Sequence, residues 1–179
     1  YNASGAAINL NNYKIRTRSI DRLDCQSGNC SGSDDHTFNL NSLVIQPGQY
    51  AIVRGNSWYN PFEDSERITY VGSVSYPYWG SYGFIELIQE EENITADFIA
   101  FGDWSNSGGV PTPITVTAWN GDSYNLTPPY NDDGASYAGS LAREASLIDS
   151  NGPEHWAVYS FNTPGGPNDV ISSEDNDND

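Results

Sequence analysis

The sequence predicts an all-β protein built from many short antiparallel strands. Runs of β-branched and aromatic residues, often alternating with polar residues, recur along most of the chain. Turn-forming segments rich in glycine, proline and asparagine stand between these runs. Helical spacing of apolar residues occurs at residues 140–150, a stretch too short to change the fold class. Short strands at close spacing are typical of a β-sandwich or a β-barrel.

Four strands are predicted in the first third of the chain. Residues 6–10 are mainly small or aliphatic, and residues 13–18 alternate cations with apolar or hydroxyl side chains. Residues 42–46 carry three aliphatic side chains and run into a Pro-Gly turn. Residues 50–54 then resume the β-type pattern with an aromatic and two β-branched residues.

Five further strands follow. Residues 68–71 are β-branched or aromatic. Residues 84–89 and 94–101 are mostly apolar, and three glutamates and an asparagine separate them, which predicts a hairpin with a charged turn. Residues 114–119 and 156–159 complete the set, because both combine β-branched and aromatic side chains.

The charge balance excludes several function classes. Twenty-four acidic and seven basic residues give a net charge of -17 and a pI of about 4.1, so most of the surface repels a nucleic-acid backbone. No apolar run approaches the ~18 residues of a membrane helix. A chain of 179 residues fits one domain with a sizeable core. We therefore expect one globular domain with no nucleic-acid partner and no membrane insertion.

The two cysteines, Cys25 and Cys30, enclose a short polar loop. A redox or metal-binding pair is one interpretation, but the spacing differs from Cys-x-x-Cys and the sequence offers no second Cys/His pair. A disulfide that clamps the loop is the favoured interpretation, with a contribution of about 2 kcal/mol from loop entropy. Because disulfides persist in oxidising compartments, we expect an extracellular or cell-surface protein.

Several segments occur in an order that resembles a known family. They are YNASGAAINL at residues 1–10, YKI at 13–15, IQPGQYAIV at 45–53, GFIEL at 83–87, ADFIAFG at 96–102, SLAR at 140–143, Trp156 and TPGGPN at 163–168. In this order they resemble the lamin tail domain family, in its prokaryotic extracellular type. The resemblance implies an immunoglobulin-like antiparallel β-sandwich with enlarged loops over residues 1–168, and it implies no catalytic residues.

The sequence departs from the family pattern in three ways. The family has a strand upstream of the Tyr-Asn pair at residues 1–2, and that strand is absent from this sequence. Residues 19–37 and 103–135 exceed the family's usual turns, and long loops often carry function. Residues 169–179 form an acidic C-terminal tail or linker that is too polar to join a core.

The tail has two interpretations. Asp175, Asp177 and Asp179 have the alternate spacing that opens an aspartate-rich calcium loop, in which carboxylate oxygens bind Ca²⁺. The other interpretation, a solvated tail or linker, is the commoner one for a run of charge. We expect no required cofactor, and Ca²⁺ is the one candidate ion.

Four of the seven cations lie close together, at Lys14, Arg16, Arg18 and Arg22. The first three alternate along the predicted strand, so they share one face, which we call the cationic stripe, while the intervening residues face the core. The stripe suits carboxylates of the tail, of a second copy or of an acidic polysaccharide. Alternatively, it is a solvated strand face whose charge protects a sheet edge.

Two other sets of residues are candidates for binding or modification. Aromatic side chains that are either core residues or a surface for sugar rings occur at Tyr76, Tyr78, Trp79 and Tyr82. Glycosylation sequons occur at Asn2, Asn29, Asn93 and Asn125. About three sequons are expected by chance at this composition, so the pattern alone does not show that they are used.

The sequence lacks a recognisable catalytic pattern. Neither His36 nor His155 has the context of a nucleophile-activating or zinc-binding histidine. We therefore expect a non-enzymatic extracellular structural or surface module that associates with other copies of itself, in a filament joined by β-strand addition. The alternative is an accessory binding domain of a larger secreted enzyme or cell-surface protein, where it holds polysaccharide or a cell surface.

Overall fold

The computed structural model describes residues 1–19, 35–54, 68–70, 82–105, 108–125, 140–143 and 151–159. These residues form ten strands and three short 3-10 turns, and they contain no α-helix. The strands are β1 (Ile8–Asn9), β2 (Tyr13–Ser19), β3 (His36–Asn39), β4 (Val44–Ile45), β5 (Ile52–Arg54), β6 (Ile68–Tyr70), β7 (Gly83–Gln89), β8 (Ile94–Phe101), β9 (Ser140–Arg143) and β10 (Trp156–Tyr159). The all-β prediction is confirmed.

The largest unit is a four-stranded antiparallel sheet in the order β3-β2-β7-β8. Strand β7 is central, and its side chains are buried or half-buried along its whole length, as expected for a strand covered on both faces. A register shift after Leu87 marks a bulge between β7 and β8. Strands β3 and β8 are therefore the two edges of this sheet.

The remaining strands form pairs. Strand β1 pairs with β4 and β9 pairs with β10, both antiparallel, whereas β5 and β6 run parallel. The parallel pair departs from the expected antiparallel pattern. The segment that connects β5 and β6 lies outside the described residues.

Each face of the four-stranded sheet packs against its own apolar cluster. The first face carries Phe84 and Phe98, whose rings stack with centroids 5.5 Å apart, and Trp119 packs on Phe98 at 5.5 Å. The second face carries Ile15, which is buried with Leu10, Leu40 and Ile45. Partly buried residues of β1, β3, β5 and β7 complete that second cluster.

Three segments differ in secondary structure from the sequence-based prediction. Residues 114–119, predicted as a strand, are extended chain followed by a 3-10 turn at Val116–Ala118. In the stretch with helical spacing, Ser140–Arg143 forms β9, and residues 144–150 lie outside the described residues. Strand β3 lies where the sequence indicates the end of a long loop. By contrast, the predicted strands at 94–101 and 156–159 are confirmed with the same bounds.

The β7–β8 hairpin has the charged turn that the sequence predicts. The Asn93 N–H donates to the Glu90 carbonyl oxygen at 3.2 Å, which closes a four-residue turn. Asn93 has φ +52°, in the left-handed region, and asparagine tolerates this conformation better than most residues. The three glutamates of the turn are exposed.

Replacing Gly83 by alanine should destabilise the fold. A Cβ at this position would lie 2.7 Å from the Arg18 carbonyl oxygen and 3.0 Å from Cζ of Phe101, so the β2–β7 ladder must shift. We expect a loss of about 1–3 kcal/mol in unfolding free energy, measured by urea denaturation. The matched control is Gly5→Ala, because a Cβ at Gly5 meets nothing within 4 Å. Equal stabilities of the two variants would contradict this packing.

Candidate functional site

A buried carboxylate lies at the centre of the four-stranded sheet. Glu86 of β7 is 0% exposed, and it stands opposite Arg16 of β2 in the ladder. Arg16 Nε lies 2.7 Å from Glu86 Oε2, but the N–H does not point at the oxygen, so the contact is an ion pair rather than a hydrogen bond. The Arg16 guanidinium also lies over the Phe84 ring, 5.1 Å from its centroid.

The other carboxylate oxygen of Glu86 accepts two hydrogen bonds. The Thr95 hydroxyl donates to Oε1 at 2.5 Å, and the Ile114 N–H donates to the same oxygen at 2.7 Å. Glu86 therefore joins three strands of the sheet to residues 110–119, a segment that we call the strap. A buried charge needs such partners, because an unpaired one is strongly unfavourable.

Three further hydrogen bonds fix the strap to the sheet. Arg16 Nη2 donates to the Thr112 carbonyl oxygen at 2.9 Å. The Thr95 N–H donates to Thr115 Oγ1 at 2.9 Å, and the Thr115 N–H donates to Thr95 Oγ1 at the same distance. With Trp119 packed on Phe98, the strap thus covers part of the first face of the sheet and the start of strand β8.

The cationic stripe meets carboxylates of its own chain. Besides the pair with Glu86, Arg16 lies 3.6 Å from Asp35, and Arg18 Nε donates to Asp35 Oδ1 at 2.7 Å. Among the described residues, Arg16 and Arg18 therefore meet carboxylates of their own chain, while the tail lies outside the described residues. Lys14 forms no ion pair with a residue that the structure describes, and Arg22 lies outside those residues.

The two edges of the four-stranded sheet differ in how their backbone groups are satisfied. On β3, the Leu40 N–H just beyond the strand donates inward to the Tyr13 carbonyl oxygen at 3.1 Å. Successive N–H groups along a strand point in opposite directions, so those of Thr37 and Asn39 point outward. The sheet continues no further on this side among the described residues, and no hydrogen bond from either outward N–H to a described residue is present.

Several outer backbone groups of edge strand β8 are satisfied by its own chain. The Thr95 N–H is held by Thr115 of the strap, and the Phe98 N–H donates to Asp97 Oδ1 at 2.8 Å. Tyr124 pairs with the end of the strand, because its N–H donates to the Ala100 carbonyl oxygen at 2.8 Å and its carbonyl oxygen accepts from the Gly102 N–H at 2.9 Å. Strand β8 is therefore partly protected by its own chain, whereas no described strand pairs with the outer edge of β3.

The composition of β3 is unusual for an exposed edge. Its sequence, His-Thr-Phe-Asn, contains no lysine, arginine, aspartate, glutamate, glycine or proline, and three of its four residues are exposed. Natural edge strands are commonly protected by charge, proline or bulges. Strand β3 carries none of these three devices, so we take its outer edge as the candidate functional site.

A second charged cluster lies on the other side of the sheet. Arg143 Nη2 of β9 lies 2.6 Å from Asp97 Oδ1 of β8, and the guanidinium stacks over Trp156 at 5.0 Å. These contacts fasten the β9–β10 pair to the four-stranded sheet. Their role is structural.

Most of the remaining sequence-predicted sites lie outside the described residues. These are Cys25, Cys30, Arg22, Asn29, Tyr76, Tyr78, Trp79, Asp175, Asp177 and Asp179. Of the aromatic set, Tyr82 is described and is 9% exposed, packed edge-on against Trp104 at 5.1 Å. Tyr82 is therefore a core residue, not a surface for sugar rings.

The sequons fall in different environments. Asn2 is 1% exposed, and its side-chain nitrogen donates to the carbonyl oxygens of Ala6 and Ile45, a placement that does not suit a glycan acceptor. Asn93 and Asn125 are both exposed, and Asn93 occupies the tip of the β7–β8 hairpin.

The described residues contain no group of three or more His, Cys, Asp or Glu residues that could hold a metal ion. They also contain no helix of the length and apolar character that crossing a membrane requires. His36 belongs to β3, where its ring stacks on Phe38 at 6.4 Å, and His155 ends a 3-10 turn before β10.

Sequence reasoning missed the two features on which the site depends. Glu86 was visible as a carboxylate at an inward position of an alternating apolar strand, a pattern that signals a buried and paired charge. The exposed edge of β3 had no comparable signal, because it depends on which strands pair.

Comparison of the chain with family models, with curated proteins and with solved structures finds no match in any of the three.

Replacing Glu86 by glutamine should destabilise the protein strongly. The substitution leaves Arg16, whose side chain is only 20% exposed, without its buried partner. We expect a loss of about 3 kcal/mol in unfolding free energy, near the lower end for a broken buried pair. Glu92→Gln in the exposed turn is the control, with an expected change within about 0.5 kcal/mol.

The double variant Arg16→Met/Glu86→Leu separates charge from packing. Replacement of both charges by apolar side chains of similar size is often neutral, so this variant should recover most of the stability that Glu86→Gln loses. Urea denaturation of the three variants measures the difference. A double variant less stable than Glu86→Gln would show that the polar contacts to the strap outweigh the cost of burying the pair.

Proposed function

We propose that this chain is a non-enzymatic extracellular structural or surface module that associates with other copies of itself by β-strand addition through strand β3. The observation that carries the proposal is the outer edge of β3, with its outward N–H groups at Thr37 and Asn39. An added strand satisfies such groups with main-chain hydrogen bonds, and alternate side chains provide specificity.

The charge distribution supports self-association at this edge. Two copies with a net charge of -17 each repel over most of their surfaces. Strand β3 itself carries no acidic residue, and the neighbouring strand β2 presents Arg16 and Arg18, which neutralise the adjacent Asp35. The β3 edge is therefore a place where two copies can approach at a low electrostatic cost.

The finer features of the proposal come from the sequence. The resemblance to the lamin tail domain family supports an immunoglobulin-like sandwich for residues 1–168. The Cys25/Cys30 pair supports an oxidising, extracellular location.

Replacing Thr37 by proline should weaken self-association. The Thr37 N–H points away from β2, so proline removes an outward donor while the β2–β3 ladder stays intact, and edge strands tolerate proline in this position. We expect the dissociation constant of the assembly to rise at least about tenfold. Sedimentation velocity over a range of protein concentrations measures the change.

Thr37→Val is the matched control, because valine keeps the N–H and the β-branched shape. This variant should assemble like the unchanged chain. Assembly should also increase with salt, since screening weakens the repulsion between chains of charge -17. A chain that stays monomeric at low and high salt would overturn the proposal and would favour the alternative, an accessory binding domain of a larger secreted enzyme or cell-surface protein.

A further inference from the structure

Resting on the proposed function, we infer that the assembly closes as a two-fold dimer in which β3 pairs antiparallel with β3 of a second copy. The inference concerns the symmetry of the contact, and it replaces the open filament that the sequence led us to expect. It depends on the difference between the two edges of the four-stranded sheet.

An open filament through this sheet needs two different free edges. Strand β3 of one copy would have to pair with β8 of the next, which is a head-to-tail contact that repeats without closing. Several outer groups of β8 already have partners: the Thr95 and Phe98 N–H groups, the Ala100 carbonyl oxygen and, just beyond the strand, the Gly102 N–H. The filament contact therefore has to displace the strap and the paired Tyr124 before it gains any hydrogen bond.

A contact between two β3 edges displaces nothing in the described structure. Both partners offer the same free groups, so the interface uses the same patch on both copies and is complete after two. The two four-stranded sheets then form one continuous sheet of eight strands. The outer strands of this sheet are then the two β8 strands, each of which is already paired in part with its own chain.

The hydrogen-bonding pattern of β3 selects one register. The outward groups belong to Thr37 and Asn39, and a two-fold axis through Phe38 places Thr37 opposite Asn39 of the second copy. Each such pair exchanges two hydrogen bonds, and the axis generates the second pair. The two Phe38 residues then form the close, non-hydrogen-bonded pair, where aromatic side chains stabilise a sheet.

Other registers use this edge less well. An axis through Thr37 pairs Thr37 with itself and leaves Asn39 facing residue 35 of the second copy. That residue is Asp35, which lies before the first residue of β3. An axis through Asn39 leaves Thr37 facing residue 41, beyond the end of the strand. The axis through Phe38 thus satisfies the most outward groups.

Disulfide trapping in a mixture tests this register. We would prepare Thr37→Cys and Asn39→Cys separately; both side chains are exposed and lie on the same face of the sheet. Opposite residues of paired strands lie about 5.5 Å apart at Cα, within the range that a disulfide spans. Mild oxidation of the equimolar mixture should give a covalent dimer of one chain of each kind, identified by intact mass.

Each variant oxidised alone should give covalent dimer only at the level of the unchanged chain, which controls for the native Cys25 and Cys30. Sedimentation of the unchanged chain should show species no larger than a dimer. Long polymers, or a sedimenting dimer whose mixture yields no mixed disulfide, would overturn the two-fold β3 contact while leaving self-association standing. A monomer under all conditions would overturn both, and the Thr37→Pro comparison would then show no effect.

Discussion

A single charged group in the middle of a sheet organises much of this fold. Glu86 is fully enclosed, so its carboxylate must find partners that replace water, and it finds them on both neighbouring strands and on the strap. The conformation of the strap consequently depends on its hydrogen bond to this carboxylate. Its Ile114 N–H is directed at Glu86 instead of at a neighbouring strand, which explains why a segment with strong β propensity forms no regular ladder.

The same arrangement makes the two edges of the sheet unequal. The residues that follow β8 in sequence return over the first face and occupy the outer groups of β8 at Thr95 and at the Ala100–Gly102 end. No described segment performs this task for β3. Among the described residues, the unpaired outer edge of β3 thus contrasts with the partly paired edge of β8, and the proposed assembly depends on this difference.

A strand was predicted correctly from the sequence where its local residue pattern favours the same structure as its pairing in the sheet. Strand β8 and strand β10 have the predicted bounds because turn residues delimit them on at least one side, the glutamates before β8 and Pro153 before β10. The prediction failed where a contact with a residue distant in sequence determines the backbone structure. Residues 114–119 have β-type composition, but the Ile114 N–H donates to Glu86 and not to a neighbouring strand. Residues 140–143 belong to a stretch with helical spacing of apolar residues, but they form a strand that pairs with β10.

The candidate site was only partly accessible to the same reasoning. Alternation along β2 correctly grouped Lys14, Arg16 and Arg18 on one face, yet it could not show that Glu86 and Asp35 occupy two of these cations. Glu86 lies on β7 and Asp35 lies just before β3. Both are far from β2 in sequence, so the alternation of residues along β2 does not reveal them. The edge at β3 follows from strand order, which is a property of the whole sheet and not of its four residues.

The placement of the few basic residues also affects how this protein meets proteases. Enzymes that cut after lysine or arginine need an isolated extended segment in their cleft, and five of the seven basic residues lie within paired strands, at Lys14, Arg16, Arg18, Arg54 and Arg143. Cleavage at these positions requires the ladder to open first, so its rate is governed by local or global unfolding. Trypsin digestion after the five residues would therefore report the opening of the strand pairs that contain them.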